Sequence, residues 1–161
     1  MAHIDDSNVR KRPVLGLVLF LVLVVGGGLA MGATNLPGGW YAGLTKPWFN
    51  PPNWIFAPAW TGLYVLIAIA GWRTFQRNPA GTAMLVWCAQ LAFNFSWSPV
   101  FFRANLILAA LCVIVAMFVL IMAFIVVQWR RDRVSALLFL PYAMWVGFAA
   151  SLNAAIYLLN S

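Results

Sequence analysis

Gln90, Asn94 and Trp97 stand at i, i+4 and i+7 in the run QLAFNFSWSPVFF, and Tyr142, Trp145, Ala149 and Asn153 follow a similar spacing in PYAMWVGFAASLN. On a helix each set shares one face. Trp60 and Tyr64, at i and i+4, add a third. All three sets lie in apolar runs, where an amide or indole N–H facing lipid would cost several kcal/mol, so they point toward protein. Together they aim tryptophans, a tyrosine and amides at a common interior, which cavity lining would explain. Ordinary packing competes with that reading, because buried Asn and Gln also bind helices together at about 0.6 kcal/mol apiece. For Trp60, Trp97 and Trp145 the residues alone leave cavity lining and packing open. Trp48, Trp72, Trp87 and Trp129 read as anchors at the membrane surface or as lipid-facing side chains.

Other chemistry is poorly supplied. The acids are Asp5, Asp6 and Asp132 and the sole histidine is His3, all in the amino-terminal tail or in a joint between apolar runs. No carboxylate pair, proton relay, metal site, nucleophilic triad or histidine-ligated haem is expected from that set, and no glycine-rich phosphate loop is present. No metal and no required cofactor are expected, and the balance leans away from an enzyme. Cys88 and Cys112 stand alone in apolar runs and read as small core residues.

The elements that must position these faces are membrane helices. Of the 161 residues 64% are hydrophobic and 8% charged, where a soluble globule carries about a quarter charged residues. Apolar runs long enough for a bilayer crossing lie at 14–34, 54–76, 81–102, 104–129 and 134–159. The expected fold is an all-α integral membrane protein, a five-transmembrane-helix bundle in one domain (residues 14–159) behind a charged amino-terminal tail (residues 1–13). Short joints at 77–79, 103–105 and 130–133 predict that consecutive helices are antiparallel neighbours. The first run, preceded by Arg10, Lys11 and Arg12, resembles a secretory signal. Its length and the Gly28/Gly32 pair favour a retained helix.

The net charge of +7 forms no continuous basic face, so nucleic acid is not an expected partner; membrane lipid is. Arg10, Lys11, Arg12, Arg73, Arg77, Arg130, Arg131 and Arg133 fall at one end of the expected bundle, and Lys46 and Arg103 at the other. In an inner membrane this places the amino terminus in the cytoplasm. On the fifth helix Ala143, Gly147, Ser151 and Ala155 form a small-residue ridge. Whether it packs within the bundle or across a homodimer stays open.

Between the first two helices residues 39–60 read GWYAGLTKPWFNPPNWIFAPAW, with Trp40, Trp48, Trp54 and Trp60 set among Pro47, Pro51, Pro52 and Pro58. Proline restricts backbone freedom and tryptophan favours an apolar–aqueous boundary. The segment reads as a Trp/Pro-rich lid loop over the bundle's mouth, with Pro47, Trp48, Asn50, Pro51 and Pro52 as lid residues and Lys46 at the opening.

These features together resemble the translocator protein family, TspO/MBR, also called tryptophan-rich sensory proteins or peripheral-type benzodiazepine receptors. The resemblance runs from about Val14 to Tyr157 and is most specific in WYAGLTKPWFNPPNW and the following PAWTGLY, with QLAFNFSWSPVFF and PYAMWVGFAASLN next in order. It implies an internal pocket for porphyrins such as protoporphyrin IX, for sterols in some members and for benzodiazepine-type compounds. Trp60 and Trp145 match its pocket positions, as do Asn94, Trp97, Ala149 and Leu152. The full candidate set adds Trp40, Lys46, Tyr64, Gln90 and Tyr142.

The function expected from the resemblance is a receptor, sensor or carrier for tetrapyrroles, with stress-response output. Aromatic faces would stack on the ring and Lys46 would meet a propionate. One rival is light-dependent porphyrin breakdown at Trp60 and Trp145; another is a structural, partner-organising membrane protein. The family also brings an outer or mitochondrial outer membrane into view. The carboxyl end departs from the pattern: Leu152 and Tyr157 are followed by no basic residue, which puts the proposed sterol motif in doubt.

Overall fold

The computed structural model describes residues 6–161, and the side chains from residue 14 onward. His3 and part of the expected charged tail, residues 1–13, lie outside the described residues. Helix α1 (Asp6–Leu21) begins earlier than the expected residue 14 and passes through a π-helical turn, Val22–Gly26, into α2 (Gly27–Thr34). The residues flanking the π turn keep right-handed helical dihedrals, so the first apolar run is one continuous rod. A short α3 (Gly39–Gly43) and a 3-10 turn, Asn53–Ile55, lead to α4 (Phe56–Arg77). Then follow α5 (Thr82–Ser98), a second π turn Pro99–Arg103, α6 (Ile107–Trp129) and α7 (Arg133–Asn160). Among the described residues there is no strand.

The joints form where the backbone is forced out of the helix. Asn78, which precedes Pro79, is extended at φ −159° and ψ 95°, as steric conflict with the proline ring requires. Asn105 takes φ 58°, a left-handed conformation that asparagine tolerates better than most residues.

Among the described residues four segments are long and apolar enough to cross a membrane: Val14–Thr34, Asn53–Arg77, Ile107–Trp129 and Arg133–Asn160. Helix α5, at 17 residues, rises only about 25 Å against a hydrocarbon core of roughly 30 Å, and it runs on into the Pro99–Arg103 turn. Around the bundle α1 lies against α4, α4 against α7, α7 against α6, α6 against α5, and α5 returns to α2. The consecutive helices α4 and α5 touch only lightly; α4 instead packs most broadly on α7 and α1.

At the α4–α5 joint end the core is dense. Phe124 and Phe139 are fully buried with ring centroids 4.1 Å apart. Trp87 is 2% exposed and donates its indole N–H to the Ile67 carbonyl at 3.0 Å. This corrects the surface-anchor reading of Trp87: Gly71, where any Cβ would overlap the indole, opens the groove that admits it. Trp48 and Trp129, by contrast, are exposed. Cys88 and Cys112 are exposed as well, on outer helix faces and not in the core. The ridge on α7 is partly spent inside the bundle, since Ala143 is buried and a Cβ on Gly147 would lie 3.4 Å from the Phe118 ring of α6.

Candidate functional site

At the opposite end, beneath the connection from α2 to α4, the helices leave a cavity of about 510 Å³. Its wall includes Trp60 and Tyr64 from α4, Asn94 and Trp97 from α5, and Ala149 and Leu152 from α7. Helical periodicity accounts for this convergence, because each pair lies three or four residues apart on its helix. The wall has flat faces: Trp60 stacks on Tyr64 at 5.5 Å and 28°, and Trp97 on Phe101 at 5.1 Å and 18°.

Below the cavity a chain of hydrogen bonds crosses the bundle. Tyr64 donates its hydroxyl to Asn94 Oδ1 at 3.2 Å, and Asn94 Nδ2 donates to the Tyr142 hydroxyl oxygen at 2.8 Å. The Tyr142 hydroxyl donates to Gln90 Oε1 at 2.9 Å, and Gln90 Nε2 to the Trp87 carbonyl at 3.0 Å. Gln90 and Tyr142 are thus floor supports just outside the lining, while Tyr64 and Asn94 belong to both network and wall. A second link runs from Trp97 Nε1 to Asn153 Oδ1 at 3.2 Å and from Asn153 Nδ2 to the Ile107 carbonyl at 3.1 Å. Asn94 and Asn153 act as both glue and wall, since their amides join α4, α5, α6 and α7 and face the void.

The other candidates lie outside the lining. Trp145 packs against Phe56 at 5.9 Å and Phe148 at 5.9 Å, its buried indole N–H without a partner among the described residues. Trp40 meets Phe101 edge-on at 5.7 Å. Lys46 Nζ bonds the carbonyls of Leu44 at 3.1 Å and Ala42 at 3.4 Å and sits 4.6 Å from the Tyr41 ring centroid. A cation there satisfies open carbonyls at the end of α3, so Lys46 is tied to its own loop.

Pro47, Trp48, Asn50, Pro51 and Pro52 also stand away from the wall. Asn50 closes a turn onto the Pro47 carbonyl at 3.0 Å and its side chain accepts from the Tyr41 hydroxyl at 3.4 Å. Trp48 is 95% exposed. The connection is nevertheless fastened down: Tyr41 packs on Phe101 and Phe102. Thr45 also exchanges two 2.9 Å bonds with the Asn160 side chain at the end of α7.

The cavity also uses residues that spacing did not single out. Gly28 is one, because a Cβ there would fall inside the Tyr64 ring. Tyr41, Phe101 and Asn35 are others. Tyr41 and Phe101 lay within the aromatic motifs, and Gly28 carried a signal as half of a small-residue pair. Asn35, which bonds the Met31 carbonyl at 2.8 Å, carried none beyond ending an apolar run.

A profile of the TspO/MBR family matches residues 17–159. A tryptophan-rich sensory protein of Cereibacter sphaeroides is 38% identical over 144 residues, covering 89% of this chain and 91% of its own. A tryptophan-rich protein TspO of Archaeoglobus fulgidus is 44% identical over 125 residues, 76% of this chain and 80% of its own. The human translocator protein is 30% identical over 123 residues, 73% of each chain.

Proposed function

This chain belongs to the TspO/MBR family of integral membrane proteins, and from that premise we propose that it is a membrane receptor or sensor whose cavity binds flat apolar ligands of the tetrapyrrole class. The observation that carries the reading is the pair of stacked aromatic walls around about 510 Å³ of space. A planar ring entering that space gains apolar burial plus about 0.5 to 1.5 kcal/mol per aromatic contact. Sterols and benzodiazepine-type compounds are flat enough to compete for it. In the same reading α5 and the Pro99–Arg103 turn together make the fifth crossing. The connection from α2 to α4 acts as the lid, and the arginine-rich end faces the cytoplasm.

Among the described residues no Lys or Arg lines the cavity, which supports recognition of the ring and not of its acids. Protoporphyrin IX and its dimethyl ester should therefore bind within about threefold of each other, as expected when carboxylates remain solvated. The test is a titration of the purified chain with each compound in the dark, followed by tryptophan quenching. Trp60→Phe should weaken binding about fivefold through lost stacking, and Trp145→Phe, outside the wall, by less than about twofold. Absence of saturable quenching, or equal loss in both variants, would defeat this reading. Illumination of the same samples tests the photochemical rival at Trp60 and Trp145, which an unchanged bleaching rate in both variants would reject.

A further inference from the structure

The end of the bundle remote from the cavity has its own concavity, of about 740 Å³, where the last turn of α4 meets the joint between α6 and α7. Arg73, Arg77, Arg130, Arg131 and Arg133 border it, with Asp132 as the lone carboxylate in the lining among the described residues. We propose that this cleft binds the phosphate of an anionic phospholipid headgroup.

Asp132 opposes an anion, and its oxygens are already committed. Arg73 Nε donates to Oδ2 at 3.0 Å and Arg73 Nη2 to Oδ1 at 2.8 Å, while Ser135 Oγ donates to Oδ2 at 2.7 Å. Arg77 Nε lies 3.3 Å from Oδ2. The buried carboxylate thereby holds two guanidinium groups in fixed positions, and five cations against one anion leave the cleft strongly positive. The joint supplies the rest. The backbone N–H groups of Arg131 and Asp132 both donate to the Gln128 carbonyl, at 3.0 and 2.8 Å. That tight turn leaves Arg130, Arg131 and Arg133 exposed on the rim.

Guanidinium forks suit phosphate oxygens, which accept two parallel N–H bonds. A lipid is favoured over a soluble phosphate because apolar residues share the cleft. Trp129 and Val134 line it at 45% and 48% exposed, and Val126, one turn from the rim on α6, is 69% exposed. Acyl chains would lie along that flank while the headgroup enters the cleft. A topological excess of basic residues requires only that arginines occur at one end; it does not require five of them to converge on one concavity.

The test uses the full chain in zwitterionic micelles doped with equal amounts of phosphatidylglycerol and phosphatidylcholine, with retained lipid read by native mass spectrometry. Phosphatidylglycerol should be retained about tenfold over phosphatidylcholine, a preference in the range that several basic contacts to anionic lipid produce. The double substitution Arg130→Gln/Arg131→Gln, which leaves the Asp132 ion pair intact, should reduce that to about twofold, whereas Arg103→Gln should leave it unchanged. Protoporphyrin quenching by the same double variant serves as the folding control. Equal retention of the two lipids by the wild type, or undiminished preference in a folded double variant, would overturn the site. Displacement of the lipid by inorganic phosphate would overturn the lipid assignment and leave a soluble phosphate ester as occupant.

Discussion

At the Asp132 end, polar side chains meet charge to charge at the rim of a surface cleft, above a densely packed core. At the cavity end, neutral groups meet in a chain from Tyr64 through Asn94 and Tyr142 to Gln90, and the helices stay apart above it. Packing follows the same division. Gly71 lets the Trp87 indole press onto the α4 backbone in a filled core, whereas Gly28 lets Tyr64 approach α2 beside an unfilled space. A bundle fixed at one end by dense packing and ion pairs can keep a void at the other without losing its helix arrangement.

Equivalent substitutions at the two glycines test that contrast most strongly. Gly71→Ala places a Cβ inside an indole that is 2% exposed and has nowhere to go, so it should cost about 3 kcal/mol, the upper part of the overpacking range. Gly28→Ala meets the Tyr64 ring, which can swing into the cavity, so the cost should be nearer 1 kcal/mol, the lower part of that range. Its larger effect should be on the proposed binding, because the displaced ring would fill part of the cavity. Thermal unfolding in detergent and porphyrin titration measure the two quantities. Equal destabilisation at both positions would erase the distinction between a filled and an open end.

Tyr142→Phe comes next. It removes the hydroxyl that accepts from Asn94 and donates to Gln90, leaving Asn94 Nδ2 and Gln90 Oε1 buried without those bonds at a cost of about 2 kcal/mol. The adjacent wall should loosen too, so ligand affinity should fall with stability. A variant with wild-type stability would show that the floor network is dispensable.

How far this division was readable from the residues depends on distance along the chain. The convergence of Trp60 with Tyr64, Asn94 with Trp97, and Ala149 with Leu152 was legible because helical periodicity sets a face within a few residues. Trp87 was not, because tryptophan suits a membrane surface as well as a core, and the glycine that admits it lies on another helix. Trp145 shares a nominal face with Tyr142 and Ala149, but the rings of Phe56 and Phe148 occupy its side of the helix and draw it off the wall. Asp132 looked like an ordinary joint residue. Its partner Arg73 is 59 residues away, and only the arrangement of α4 beside α7 brings them together.

The Asp132 end carries a buried carboxylate whose titration can be followed. Burial pushes the Asp132 carboxyl up, but hydrogen bonds from Arg73 and Ser135 and the nearby charges of Arg73 and Arg77 outweigh it and hold the group at about 2. A folded-state value below the unfolded one means that the stabilisation is complete above about pH 4 and is lost as pH falls toward about 2. Asp132→Asn should cost about 1 to 2 kcal/mol at neutral pH, as for hydrogen bonds to a charged group. Melting temperatures of wild type and variant should converge across that acidic window. A constant gap between them down to pH 2 would mean that the carboxylate's charge is not what fastens α4 to α7.

The smallest effect on stability, and the sharpest on exchange, is expected from Pro51→Ala/Pro52→Ala. Neither ring touches the cavity, and the connection is held elsewhere, by Tyr41 against Phe101 and Phe102 and by the paired bonds between Thr45 and Asn160. Unfolding free energy should therefore change by no more than about 0.5 to 1 kcal/mol, the amount that proline contributes through the unfolded chain. If the connection acts as the proposed lid, its action depends on the number of conformations open to it. Freeing two backbone φ angles next to Asn53 and Phe56, which line the mouth, should speed porphyrin dissociation several-fold while equilibrium affinity falls less. Stopped-flow displacement separates the two quantities. If dissociation and unfolding instead accelerate in proportion, the connection is a brace shared with the rest of the bundle, and the cavity end is no more mobile than the Asp132 end.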